Sequence, residues 1–378
     1  MFPNSSPSTV PPSPTLYEVA LGMAQGIGGV LARTLLSYCG SAEAVFKASP
    51  SQLYKIPQIG EKAVQSLRDA QLMSRAEQEL EACLRQGIHP LFLQSPLYPR
   101  RLKEIYDAPI LLFYKGNIEA LHQPRMLSIV GTRRYTEYGR NFLEQAVEQL
   151  SSSAPCIVSG LAYGIDIIAH RQALKQGLPT IAVMASGMDI IYPAVHRATA
   201  EEIIGTGGLL TESPLGTKPD APRFPARNRI IAALADATLV VEAQEQGGAM
   251  ITAQLANDYN REVFALPGNY YQSSSKGCNK LIKTHQAHLI ESAVDVLYIM
   301  NWQQSTRSQQ QQLALEVSLN EEERRIVQCL QSKKALHVDE LALALQLSPS
   351  ILSMHLLNLE MNKLIEALPG KKYKLSAR

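Results

Sequence analysis

An α/β fold built on a doubly wound, mainly parallel sheet is predicted by three observations. Six short runs rich in β-branched residues, MLSIVGT, CIVSG, TIAVMAS, GLLTES, TLVVEA and VFALPG, follow one another between residues 126 and 268. Stretches with helical spacing separate them, beginning near Tyr138, Gly164, His196, Ala226 and Gly248. Each run ends in small or acidic residues, with Gly-rich turns beyond. Such alternation makes successive strands parallel, and it puts any ligand in the crevice at their carboxyl ends. The residues just after each run therefore carry most of the functional information.

Composition sets the outer limits. A chain of 378 residues with 46% apolar residues has material for two or three domains with real cores. No apolar run approaches the roughly 20 residues of a membrane span, and residues 1–14, within MFPNSSPSTVPPSPT, have neither a charged start nor an apolar h-region. They read as a disordered, uncleaved tail. Five scattered cysteines, Cys39, Cys83, Cys156, Cys278 and Cys329, form no C-x-x-C pair and suit reduced thiols in a cytoplasm. A formal charge of +2 is too small to signal nucleic-acid binding, so any such reading must come from local clustering.

Residues 15–75 hold a weak repeat. QGIGGVLARTLL from Gln25 aligns with PQIGEKAVQSL from Pro57, Gly28 falling on Gly60. Each copy reads as helix, Gly turn, helix, a SAM-like or helix-hairpin-helix pattern in which the turn lets backbone N–H groups approach a phosphate. Gln58 replaces Gly26 in the second copy and predicts a less regular turn. No strand precedes GIGG, so a dinucleotide fingerprint is excluded, and packing or partner contact is the expected use of this module.

Within residues 76–301 the loop motifs converge. GTRRYTEYG (131–139) supplies Gly131 for close approach, Arg133 for charge and Thr136 as a helix cap. SGLAYGID (159–166) supplies Ser159, Gly160 and Gly164, a turn whose N–H groups would make an anion nest. SGMDIIYP (186–193) and EQGGAMIT from Glu245, with Gly247 and Gly248, complete the rim. RFPARNR sets Arg223, Arg227 and Arg229 around Phe224 and Asn228 at a helix start, where free N–H groups and guanidinium groups favour anionic oxygens. A phosphate chain is the implied ligand. Phe224 would offer a stacking face to a base, or else plug the core beneath the loop.

WQQSTRSQQQQLALE marks a linker over 302–317. Residues 318–378 give three helical segments, Pro369-Gly370 and the basic strand KKYKL, the order of a winged helix. Its recognition segment, Ser350 to Lys363, offers His355, Asn358 and Asn362 among Leu, Met and Ile. That surface favours protein contact over base reading.

Two other function classes compete. Asp166, Asp189, Glu212 and Glu242 lie near strand ends and would suit a metal-dependent nuclease. Arg133, Glu242 and Gly247-Gly248 would suit a Rossmann-type nucleotide hydrolase of the phosphoribohydrolase kind. Neither His170 nor the pair His285 and His288 has ligands at metal spacing, and no P-loop is present, so neither metal nor cofactor is expected. A third reading, a scaffold without a ligand, conflicts with the basic FPARNR segment.

The ordered set GTRRYTEYG, SGLAYGID, ASGMDIIYP, FPARNRII, VVEAQEQGGAMITA and ALPG closely resembles the DprA/Smf family of DNA-processing proteins. That resemblance implies an extended Rossmann-like domain flanked by a SAM-like module and a winged helix. It also implies single-stranded DNA binding with little sequence preference, homodimers, and non-catalytic loading of the recombinase RecA during natural transformation and DNA recombination. Carried over by motif, the DNA ligands are Gly131, Arg133, Ser159, Gly160, Gly164, Phe224, Arg227, Asn228, Arg229, Gly247 and Gly248. GCNKLIKTHQAHLI departs from the family's pattern at Thr284 and His285, which bears on the pocket edge expected at Asn279 and Lys280.

Overall fold

The computed structural model describes residues 15–303, 320–331, 335–362 and 364–375. The expected tail lies outside them, as do Lys363 and all of the expected linker except its first two residues. The chain divides into two compact units, one ending at Gln303 and the other beginning at Gln304.

The first unit opens with six helices: α1 (Leu16–Met23), α2 (Gly29–Cys39), α3 (Ala42–Lys47), α4 (Pro50–Leu53), α5 (Glu61–Leu67) and α6 (Leu72–Arg85). Thr15 starts α1 by closing a capping box with Glu18. Gly28 and Gly60 precede α2 and α5 with matching extended backbones. Gly26 and Gln58 both turn left-handed, at φ 73° and 66°. The repeat is therefore regular in both copies: Gln58 accepts a conformation that costs a side-chain-bearing residue about 1–2 kcal/mol. The first turn is used for packing, because a Cβ on Gly29 would stand 2.0 Å from the Ala108 carbonyl oxygen. These helices share one core with the sheet, in which Val19, Leu21 and Leu35 pack with Leu111, Phe113 and Met184. Residues 15–75 thus belong to the same compact body as the sheet.

All six expected strands form, as β3 (Met126–Val130), β4 (Cys156–Ser159), β5 (Thr180–Val183), β6 (Gly208–Thr211), β7 (Ala237–Val240) and β8 (Glu262–Ala265). Three further strands escaped the sequence pattern: β1 (His89–Phe92), β2 (Leu111–Gly116) and β9 (His288–Leu289). The nine-stranded order is β1-β2-β6-β5-β4-β3-β7-β8-β9, antiparallel where β1 meets β2 and β2 meets β6, parallel elsewhere. Helices α7 (Arg100–Lys103), α8 (Glu137–Leu150), α9 (Ile165–Lys175), α10 (Arg197–Thr206), α11 (Arg223–Leu234), α12 (Gly248–Asp258), α13 (Lys276–Lys283) and α14 (Ala293–Ile299) complete the unit.

Strand alternation sorts these helices into layers. Leu127 and Ile129 of β3 face a core shared with α8, α9 and α14. Met126 and Val130 face the opposite core, shared with α11 and α12. Chain order runs from β3 outward through β4, β5 and β6, then returns to start again at β7. The loops leaving β3 and β7 therefore depart toward opposite faces, and that divergence opens a crevice at the carboxyl edge. Trp302, read as the first linker residue, is 7% exposed and completes the α8–α14 core.

The second unit contains β10 (Leu336–His337), α15 (Glu321–Gln331), α16 (Val338–Leu345), α17 (Pro349–Met361), β11 (Ile365–Leu368) and β12 (Lys372–Leu375), with strand order β10-β12-β11. This is the winged-helix arrangement. His355 is a correction to the expected set of polar readers: it turns inward, 3% exposed, with Nε2 2.8 Å from Glu322. The outward positions of α17 include Ile351, Met354, Leu357 and Met361, with Asn358 and Asn362 also exposed. Among the described residues no single helix is long and apolar enough to cross a membrane.

Candidate nucleic-acid interface

The crevice between β3 and β7 is a cavity of about 440 Å³. Gly131, Arg133, Phe224, Arg227, Asn228, Gly247 and Gly248, seven of the residues expected from sequence, line it together. Its rim and its floor are built differently.

The rim is open. Arg133 and Arg134 are exposed just beyond β3. The Arg133 guanidinium sits 5.7 Å from the centroid of the Phe224 ring, a cation–π distance, and Tyr192 meets the same ring edge-on at 5.8 Å. Gly247, at φ 150°, leads into α12, whose first residues, Gly248, Ala249 and Met250, line the cavity with Gln244 and Gln246. The 131–134 loop is held from behind: Thr136 caps α8, and its N–H and Oγ1 both donate to Glu242, at 2.8 and 2.7 Å. Glu242 is therefore a tether.

The floor is closed and internally paired. Helix α11 begins at Arg223, a turn earlier than the sequence suggests, so Arg227 lies inside it and is only 5% exposed. Its guanidinium donates to the carbonyls of Gly160, at 2.7 Å, and Val183, joining the ends of β4 and β5. Asn228 donates to the Gly248 carbonyl at 3.2 Å. Asp166, buried beneath, accepts the N–H groups of Gly160 and Ala162. Burial pushes the Asp166 carboxyl up and the nearby Arg227 charge opposes it; burial in turn pushes Arg227 down, to about 10.

Several expected ligands have partners within the protein. The 159–166 turn is no open anion nest, because Asp166 already fills it. Ser159 donates its hydroxyl to the Ile129 carbonyl at 2.6 Å. Gly160 is needed because a Cβ there would strike the Arg227 guanidinium at 2.6 Å, and Gly164, at φ 86°, because one would meet the Thr132 carbonyl oxygen at 2.1 Å. Arg229 points elsewhere, pairing with Glu212 and donating to the Asp107 carbonyl. Two positions along a helix is about 200°, so Arg227 and Arg229 cannot serve one cavity. Asn279 spends its amide on the Gly268 N–H and carbonyl, fixing the 268–276 loop, while Lys280 stays exposed on α13. Arg134, Gln244 and Gln246 also line the cavity and were not singled out from the sequence; the polar run Gln244-Glu245-Gln246 before Gly-Gly was the available signal.

The carboxylates suspected of holding a metal are dispersed. Asp189 accepts the Gly216 N–H at 2.9 Å, Glu212 holds Arg229, and Glu242 holds Thr136. Among the described residues no group of three or more His, Cys, Asp and Glu is placed to hold a metal ion.

A family model for DNA recombination-mediator protein A matches residues 89–301, which includes every strand of the parallel sheet and the whole crevice. The chain belongs to the DNA recombination-mediator protein A family. Two further family models, a DprA winged helix domain and a SAM-like helix-hairpin-helix tandem, match residues 310–371 and 19–70. Protein Smf of Synechocystis is 39% identical over 271 residues, 70% of this chain and 68% of that protein. The X-ray structure of DprA from Streptococcus pneumoniae is 35% identical with a TM-score of 0.65, covering 76% of this chain and 98% of that one. A structure of Helicobacter pylori DprA, solved to describe its single-stranded DNA binding mode, is 30% identical with a TM-score of 0.52, covering 57% and 95%.

Proposed function

We propose that this chain binds single-stranded DNA along the carboxyl edge of the sheet, with little sequence preference. In this reading it acts in the cytoplasm as a non-catalytic mediator that loads a RecA-type recombinase during transformation and recombination. The carrying observation is the open cationic rim: exposed Arg133 and Arg134, in a cavity lined also by Phe224 and by the first turn of α12, a helix start whose free N–H groups suit anions. Guanidinium and backbone N–H groups track phosphates, and an aromatic face accepts any base, so affinity comes without base reading. Kinship with the Helicobacter pylori protein supports the same ligand. Homodimers would let one strand cross two crevices and gain affinity by tethering.

The test is fluorescence anisotropy with single- and double-stranded oligonucleotides over a salt series. The reading expects preference for the single strand and a slope of log K against log salt near −0.7 for each phosphate contact. Equal affinity for both forms would overturn it. Addition of a recombinase to the bound strand, with filament formation as the readout, tests loading separately.

A further inference from the structure

Exposed tyrosines gather at the carboxyl edge of the sheet. Tyr192 follows β5, Tyr163 follows β4, Tyr135 and Tyr138 follow β3, and Tyr270 and Tyr271 follow β8. The last two stand furthest into solvent, 82% and 68% exposed, with ring centroids 5.2 Å apart and planes at 80°. Two adjacent rings this exposed offer a flat apolar step with a polar edge, a shape suited to stacking.

Their loop is held rigidly against the crevice. Ala243 donates its N–H to Ser274 and accepts one from Gly277, both at 2.8 Å. The Asn279 amide clamps both backbone groups of Gly268, and Gln272 and Ser275 close successive turns. Gly277 packs against Gln244 and Met250, which with Ala243 line the cavity wall. The loop that carries the rings is thus anchored at both ends, one of them to that wall, which lowers the entropy lost when a base stacks on them. Exposed Lys276, the first residue of α13, adds a cation next to them.

We propose that Tyr270 and Tyr271 form a second base-stacking step for single-stranded DNA, so that the strand runs across the sheet from Tyr192 and Phe224, over Arg133, to the tyrosine pair. Strands β5 and β8 lie four inter-strand steps of about 4.8 Å apart, enough for several stretched nucleotides. This rests on the single-strand reading above and assigns the path and its far end.

The test compares Tyr270→Ala/Tyr271→Ala, Tyr270→Phe/Tyr271→Phe and the unmodified protein on oligothymidines of about 4 and about 12 nucleotides, lengths within the range of single-strand sites. The expected result is a long-to-short affinity ratio about tenfold lower for the Ala pair, with the Phe pair unchanged. The salt slope should stay the same, because the substitutions leave every phosphate ligand in place. A ratio unaltered by the Ala pair, in a protein that binds both oligonucleotides, overturns the tyrosine step and leaves the crevice intact. An unmodified protein that binds neither overturns the single-strand reading and this inference with it.

Discussion

Both walls of the crevice carry arginine beside a Gly-rich turn and use it in opposite ways. On the β4–β5 side, Arg227, Asp166, Ser159 and Gly160 are buried and bonded to one another or to backbone. On the β3–β7 side, Arg133, Arg134, Gln244 and Gln246 are exposed and open to a ligand. An arginine in a Gly-rich motif is therefore not in itself a phosphate ligand. What decides is whether the protein has already supplied its partner, and a buried guanidinium must have one because desolvation is so costly. The floor sets the geometry of the site and the rim supplies its charge.

That contrast breaks most sharply at Arg227. Arg227→Ala removes the charge opposing Asp166 and two hydrogen bonds to carbonyls, so it should cost about 3–5 kcal/mol of stability. Urea denaturation followed by circular dichroism would measure this, and a loss under about 1 kcal/mol would place Arg227 with the rim. Gly164→Ala should follow at about 1–3 kcal/mol, since it forces a Cβ into φ 86° and onto the Thr132 carbonyl. Differential scanning of the variant against the parent checks it.

Arg133→Ala is the reverse case. Stability should hold within about 0.5 kcal/mol, while single-strand affinity falls about tenfold, the worth of one charge-assisted hydrogen bond. Parallel denaturation and anisotropy titrations separate the two effects.

Acid sensitivity should report His170, buried on α9 with Nδ1 2.7 Å from Thr180 Oγ1. Burial, aided by the Arg227 charge, lowers His170 from 6.5 to about 3. Above pH 6.5 both folded and unfolded chains hold it neutral, so it contributes no pH dependence there. Below 6.5 the unfolded chain takes up a proton that the folded one refuses, and stability falls by about 1.4 kcal/mol per pH unit until the folded pKa is reached. Denaturation midpoints for the protein and for His170→Asn between pH 7.5 and 5.5 should diverge in slope; parallel slopes would remove His170 from the account.

The parallel sheet was legible because β3 to β8 are short β-branched runs between helices of the right spacing. The strands outside that run were not. β2, in ILLFYKG, sits between loops with no alternation to mark it, and β9 is two residues defined only by its neighbour. The crevice was legible as a place, since topology alone puts the 131–134 and 244–248 loops together. The division of labour within it was hidden. Arg227 and Arg229 differ only in helix phase, which depends on where α11 begins, and Asp166 fills its own turn through hydrogen bonds that spacing does not specify.

The most direct test of an open rim over a closed floor is the salt dependence of single-strand binding by Arg133→Ala/Arg134→Ala. The variant should be as stable as the parent, with a slope less negative by about 0.7 for each phosphate that an arginine no longer neutralises. An unchanged slope and affinity in that folded variant would contradict it, because the charge that holds the strand would then lie elsewhere.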